Sequence, residues 1–238
     1  VFNSHILSVE AALASYRFTV DNKEVVNRVV GVHSPVHYDL LSQVFLNNGE
    51  VIGDLKEFNS ITKKSEAINV SKRMQSLFKR IEELPCWNIA FINGDAYGGG
   101  IELMMAFDFI LSPTHTKFGF TQGRFYLTPG WGGLTRLIER VGRSKALQWQ
   151  GKAEIKTARE LYNEGFINSI IEEKNVLEWA EPLTKNGRDF IQTLKRNSGI
   201  SSLNRFTLME SEIEPFADLW VDENHTSRVE KFIQKNNK

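Results

Sequence analysis

Apolar positions at helical spacing open the chain. In SHILSVEAALASYRF, Ile6, Leu7, Val9, Ala12, Leu13 and Tyr16 share one face and Ser4 can cap the first turn, so the pattern predicts an amphipathic helix. NRVVGVHS is a short β-branched run and predicts a buried strand. PVHYDLLSQVFLNNGEVIGDLKEF is broken by Pro35, Asn47-Asn48-Gly49 and Gly53 and reads mostly as loop. SEAINVSKRMQSLFKRIEEL carries Ile68, Met74, Leu77, Phe78 and Ile81 at helical spacing with charges on the opposite face, and Pro85 stops it. WNIAFING and FDFILS read as two more strands, with a glycine-rich turn and an apolar helix between them.

Helices and strands that alternate in this way make an α/β protein. Beyond residue 112 the pattern gives a short strand, a Gly/Pro-rich loop, helices and a last strand near residue 170. From about residue 176 it is helical only. The chain therefore divides into a core over 1–175 and a helical C-terminal region over 176–238, with no repeat of fixed period and no low-complexity segment.

Composition narrows the field. The 238 residues are 41% hydrophobic, enough for a substantial core. The 29 basic and 29 acidic residues balance, so no basic surplus marks a nucleic-acid partner. No apolar run reaches the roughly 18 residues of a membrane span, which leaves membrane association unexpected. The single cysteine, Cys86, cannot form an internal disulfide and points to a reducing, cytoplasmic setting, where it reads as a small core residue. The chain starts at Val1 rather than Met, which leaves an upstream segment, including a targeting one, open.

The chemistry gathers in INGDAYGGGIELMMAFD. Gly98, Gly99 and Gly100 stand where a strand hands over to a helix, and Glu102 follows inside the first turns among Ile101, Leu103, Met104 and Met105. Amides at a helix N-terminus lack internal partners and carry partial positive charge, and glycines clear the approach to them. Three functional readings compete. A phosphate loop lacks Gly-Lys-Ser/Thr. A dinucleotide fingerprint is met only loosely by Gly94-x-Ala96-x-x-Gly99. An oxyanion hole accounts for Glu102, because apolar neighbours favour the protonated carboxyl that general acid–base chemistry uses. The plain alternative is that the glycines permit close helix–strand packing and Glu102 favours the helix N-terminus by its charge. A metal site is poorly supported, since Pro35 separates His33 from His37, and no serine lies between 87 and 111 to pair with His115 as a peptidase nucleophile.

INGDAYGGGIELMMAFDFILS resembles the signature of the enoyl-CoA hydratase/isomerase, or crotonase, superfamily. KFGFTQGRFYLTPGWGGLTRLIERVGRSKAL resembles that family's Phe-Gly segment and its Pro-Gly-x-Gly-Gly-x-x-Arg-Leu loop. AEIKTARELYNEGFINSIIEE resembles the helix that ends at Gly165 before the last core strand, and DLKEF at 54–58 an earlier family loop. The resemblance covers residues 25–175 and, loosely, the C-terminal helices. It implies a crotonase-like ββα spiral core with a C-terminal helical trimerisation region, and a homotrimer or a hexamer built from two trimers. It implies an acyl-CoA thioester substrate with no separate cofactor, coenzyme A entering as part of the substrate. Oxyanion-hole amides would fall on Gly53 and Gly99, flanked by Gly98 and Gly100. Glu102 matches the first catalytic glutamate of hydratases. Asp54, Lys56, Trp131, Phe232 and Lys235 fall where relatives contact substrate or CoA.

The chain also departs from the family pattern. Gln122 stands where hydratases carry a second glutamate, and an amide cannot shuttle a proton as a carboxylate does. Ile52 replaces a glycine of the first oxyanion loop, and the family's N-terminal hairpin has no evident counterpart. The expected activity is hydration or isomerisation of an enoyl-CoA. The alternatives are decarboxylation of an alkylmalonyl-CoA, since PGWGGLTRL resembles the ethylmalonyl-CoA decarboxylase branch, a specialised acyl-thioester lyase, or a member that binds CoA esters without turnover. Tyr97, Phe120, Phe125, Tyr126 and Trp131 are candidates for the pocket wall. Phe216, Leu219 and Trp220, on a polar terminal region, fit either an interface or packing on their own domain.

Overall fold

A computed structural model describes residues 16–20, 23–32, 61–84, 86–172, 175–186, 188–199 and 202–236. Its first two strands, β1 (Tyr16–Val20) and β2 (Lys23–Val32), form an antiparallel hairpin with Val20 opposite Lys23. This corrects two expectations, the helix running through Tyr16 and the missing N-terminal hairpin. The helical spacing of 6–16 runs straight into Tyr-Arg-Phe-Thr-Val, a β-prone segment that pairs with the Val-rich strand after it.

The remaining strands divide between two sheets. β2, β3 (Trp87–Phe91), β5 (Phe109–Ser112) and β8 (Ser169–Ile170) continue the first, in the order β1-β2-β3-β5-β8. The β3–β5 and β5–β8 pairs are parallel. β4 (Ala96–Tyr97), β6 (Lys117–Gly119) and β7 (Ile155–Thr157) make a second sheet, in the order β4-β6-β7. The pairs β3–β4 and β5–β6 thus each send one strand to either sheet before a helix follows. β3 and β4 precede α2 (Gly99–Met104), and β5 and β6 precede α3 (Gly133–Val141) and α4 (Arg143–Lys152). This is a ββα spiral.

Strand periodicity explains the apolar runs. Ile89, Phe91 and Leu111 face one way, onto Val176 and Ala180 of α6 (Val176–Ala180). Ala90, Ile92 and Ile110 face the main core with α1 (Lys64–Glu82), α2 and Trp149 of α4. A sheet covered on both faces reads as continuous hydrophobicity rather than alternation. Phe120 lies within this core against Trp149 and Phe166, at centroid distances of 5.0 and 5.7 Å, and is fully buried. It is therefore core and not pocket wall.

After α5 (Ala158–Asn163) and β8, the described C-terminal residues are helical: α6, α7 (Arg188–Asn197), α8 (Leu203–Glu210), α9 (Ile213–Trp220) and α10 (Glu223–Asn236). Lys195 of α7 reaches the sheet, bonding Asp108 Oδ2 at 2.7 Å and the Cys86 carbonyl at 3.0 Å. Asp108 also accepts from the Asn88 amide at 2.8 Å, so the last residue of the glycine-rich motif joins two strands and a helix. Phe216 and Trp220 turn inward. The Phe216 ring covers Gly130, Trp220 stacks on Phe216 and His225, and Trp220 Nε1 donates to Ile61 O at 3.0 Å. These two residues are therefore committed within the chain and do not form a free apolar face, because Gly130 leaves room for an aromatic ring.

Candidate active site

The strand-to-helix turn is built as its glycines require. Gly98 takes φ +51, and its N–H donates to Gly119 O at 3.0 Å, tying the turn to β6. Its carbonyl accepts from Ile101 and Glu102 and starts α2. A Cβ on Gly99 would run into the Trp131 indole, which lies directly over it. The glycines thus serve close packing as well as leaving the first amides of α2 without intrahelical partners.

All of α2 beyond Gly99 is buried, and Glu102 is the single charged residue in it. The Glu102 side chain is 4% exposed. Its Oε2 accepts from the amides of Trp131 at 2.9 Å and Gly133 at 3.0 Å. These amides belong to the Pro129–Gly133 loop and the first position of α3. A side chain at 133 would collide with the carboxylate, so glycine is required there. Burial pushes the Glu102 carboxyl up to about 8, and the negative charge of Glu212 adds to this. The Trp131 amide, Gln122 and Arg136 oppose the rise without cancelling it. At neutral pH this group can hold a proton and deliver it.

Gln122 sits in the 3₁₀ turn Thr121–Phe125 that follows β6. Its Nε2 donates to Glu102 Oε1 at 3.3 Å. Its Oε1 is buried, with no hydrogen-bond partner among the described residues. When Glu102 carries a proton on Oε1, the pair can bond in the reverse sense, with the amide turned over to present its oxygen.

Sequence reasoning missed the support around this pair. The Glu212 carboxylate, between α8 and α9, accepts from the amides of Thr135 at 2.8 Å and Leu134 at 3.3 Å and from Thr135 Oγ1 at 2.7 Å. Arg136 donates to the Trp131 carbonyl at 3.0 Å and pairs through two bonds with Glu82 of α1, at 2.7 and 3.0 Å. Arg205 of α8 pairs with the same carboxylate, at 3.0 and 2.7 Å, and reaches Glu139. Arg136 and Glu82 are each 1% exposed. The one available signal for Glu212 was a helix that begins at Gly132-Gly133, with no side chain of its own to cap it.

The structure brings together Glu102, Gln122, Gly99 and Trp131, with Gly98 and Gly100 beside them. Gly53, Asp54 and Lys56 lie outside the described residues. Phe232 of α10 packs edge-on against Phe125, at 5.3 Å, in the turn that carries Gln122, and Lys235 is exposed about one helical turn farther on. His225 and Arg228 of α10 bond the carbonyls of Phe125 and Gly123 in that same turn. Tyr97 is half-buried over Gly119, and its hydroxyl donates to Asp95 Oδ2 at 3.0 Å. His115 is exposed beside the Asn93 carbonyl. Among the described residues no helix is long and apolar enough to cross a membrane.

A ββα spiral with a buried carboxyl one turn into the helix after a Gly-Gly-Gly turn defines a narrow class of protein. The sequence profile of the enoyl-CoA hydratase/isomerase family matches residues 52–236, and the chain belongs to that family. A probable enoyl-CoA hydratase of Bacillus subtilis (strain 168) is 30% identical over 188 residues, covering 76% of this chain and 73% of that protein. An ethylmalonyl-CoA decarboxylase of Gallus gallus is 33% identical over 150 residues, covering 60% of this chain. The matched region spans 50% of the length of that decarboxylase. Among solved structures, an enoyl-CoA hydratase from Bacillus halodurans superposes with a TM-score of 0.69 over 75% of this chain and 74% of its own, at 20% identity. One from Mycobacterium avium gives 0.68 over 87% and 90%, also at 20% identity. These likenesses establish the fold.

Proposed function

We propose that the chain is an acyl-CoA enzyme that stabilises a thioester enolate and moves one proton with Glu102, hydrating an enoyl-CoA or shifting its double bond. The observation that carries this reading is the buried Glu102 carboxyl, held by the Trp131 and Gly133 amides one turn from Gly99. The Gly99 amide, with that of Gly53, would grip the thioester oxygen, and loss of one such donor costs roughly 3–4 kcal/mol of barrier. Lys56, Phe232 and Lys235 would meet coenzyme A, and Asp54 would sit in the loop that carries Gly53. No cofactor beyond the substrate's coenzyme A is called for.

A second reading is decarboxylation of an alkylmalonyl-CoA. It is favoured by Gln122, because an uncharged amide beside Glu102 does not repel a substrate carboxylate as a second glutamate would, and by the similarity to the Gallus decarboxylase. In decarboxylation and in hydration Glu102 supplies the proton that quenches the enolate, and in hydration its carboxylate then takes the proton released by the added water; in double-bond migration it takes a proton from one carbon and returns it to another. We place the enzyme in the cytoplasm, as a homotrimer or a pair of trimers. Exposed Phe190, Leu194, Leu203 and Leu208 on α7 and α8 support self-association.

Mass spectrometry after incubation with a short enoyl-CoA, a β,γ-enoyl-CoA and ethylmalonyl-CoA tests the reading, with Glu102→Ala as control. Gain of water or migration of the double bond, lost in the variant, is the expected result. Loss of carbon dioxide from the malonyl ester alone selects the second reading. Binding of all three without turnover contradicts both.

A further inference from the structure

Two carboxylates share the start of one helix. α3 has nine residues, and its N-cap, Gly132, has no side chain to offer. Its first amide, Gly133 N–H, goes to Glu102. Its second and third, Leu134 and Thr135, go to Glu212, which lies 78 and 77 residues farther along the chain. The second and third amides are the ones an N-cap side chain normally takes. Glu212 therefore does from outside what Ser, Thr or Asp would do from position 132. A Ser or Thr cap at 132 would leave no second anion beside Glu102.

We propose that Glu212 is a positioning residue for the reaction: from a distant part of the chain it caps the helix whose first amide holds Glu102, and it sets a second carboxylate beside that acid. The inference rests on the reading of Glu102 as the acid. A bare helix N-terminus stabilises a nearby carboxylate and would make Glu102 a weaker proton holder. Glu212 occupies two of those amides and places a like charge beside the third. It also accepts from the Thr135 hydroxyl and is only half-buried, so it ionises before Glu102 although burial raises it as well. The pair then loses its protons in two steps.

The other groups around Glu102 do not supply this effect. Arg136 of α3 acts in the opposite direction and is bound to Glu82 of α1, which Arg205 of α8 also holds. Gln122, from the turn after β6, is neutral, and α2 carries no other charge. Near Glu212, Glu214 and Asp218 of α9 are paired with Lys64 of α1.

The test is a carbon-13 NMR titration of the carboxyls of the whole chain labelled at glutamate, with the Glu102 signal assigned by its loss in Glu102→Gln. Glu212→Gln keeps an oxygen for the Thr135 amide and removes the charge. The Glu102 midpoint is expected to fall by about one pH unit in that variant. An unchanged midpoint would overturn the proposal. The wild-type protein gives a second check that needs no Glu212 variant. Its Glu102 signal should show a minor inflection where Glu212 ionises and a major one at higher pH, and a single inflection would also overturn the proposal. The titration uses no substrate, so failure to turn over acyl-CoA would defeat the proposed function while leaving this result readable.

Discussion

Gln122 Nε2 faces Glu102 Oε1 across 3.3 Å, so an uncharged amide, and not a second acid, lies against the buried carboxyl. Both come from segments that glycine turns pin together, since the Gly98 N–H is bonded to Gly119 just ahead of Gln122. Under the proposed function this pair can move one proton but not two. Gln122→Glu restores a second titrating group in nearly the same volume. It should raise the rate of water addition to a short enoyl-CoA by about a hundredfold, the low end of what a placed acid or base contributes. Initial rates followed at the enoyl chromophore check this. No gain would mean that Gln122 does not stand in for the missing acid.

The elevated Glu102 carboxyl makes a signed prediction about stability. Between its ordinary value near 4.5 and about 8, the unfolded chain has lost this proton and the folded chain has kept it. The unfolded state therefore binds fewer protons, and this group's contribution falls as pH rises through that window. Glu102→Gln keeps the shape and removes the titration. The difference in stability between variant and wild type should move in favour of the variant from pH 4.5 to 8 by roughly a few kcal/mol. Urea denaturation at the two pH values measures it. If Glu102 acts as the acid of the proposed hydration or decarboxylation, the rate should decline as pH rises past about 8.

Gly133 is the position where sequence and site meet most tightly. The Glu102 carboxylate occupies the space that a β-carbon at 133 would need. Gly133→Ala must displace the carboxylate or the start of α3. A displacement of about an ångström costs on the order of 10²-fold in rate. The variant should keep its fold, as judged by circular dichroism, and lose most of its kcat.

Glu82 is buried between two guanidiniums. Burial alone would raise its carboxyl, but Arg136 and Arg205 outweigh that and hold it below the ordinary range. Its contribution is therefore present above about pH 4.5 and lost as pH falls further. Glu82→Ala leaves the buried Arg136 guanidinium without its carboxylate, takes one carboxylate from Arg205, which keeps Glu139, and should destabilise the chain by about 3–5 kcal/mol at neutral pH. Because Arg136 also holds the Trp131 carbonyl, the loss should be accompanied by reduced turnover in the fraction that stays folded. Thermal melts and rate assays on the same preparation check both.

The fold was largely legible where one periodicity dominated. Trp87–Phe91 and Lys64–Glu82 are each patterned without competition, and both form as expected. Tyr16 was misread because a helical stripe upstream runs into a strand whose partner, Lys23–Val32, decides the matter by pairing. The sorting of strands into two sheets leaves no local mark, since Ala96–Tyr97 is only two residues long. At the site, Gly99, Glu102, Gln122 and Trp131 could be read because they lie in compact motifs. Glu212 and Arg205 could not, because their partners lie 77 and 123 residues away and nothing in their own neighbourhoods signals a role. Whether Phe216 packs inward or forms an interface could not be read for the same reason, its cover being Gly130 in a distant loop.

The proposed function requires Glu102 to exchange a proton with an enolate held near Gly99. Turnover of a short enoyl-CoA or an alkylmalonyl-CoA in deuterium oxide, read by mass spectrometry at the carbon next to the thioester, tests it most directly. One solvent deuterium is expected at that carbon with the wild-type protein, and near-complete loss of product with Glu102→Gln at undiminished ester binding. Equal deuterium incorporation by wild type and variant, or tight ester binding with no product from either, would contradict it.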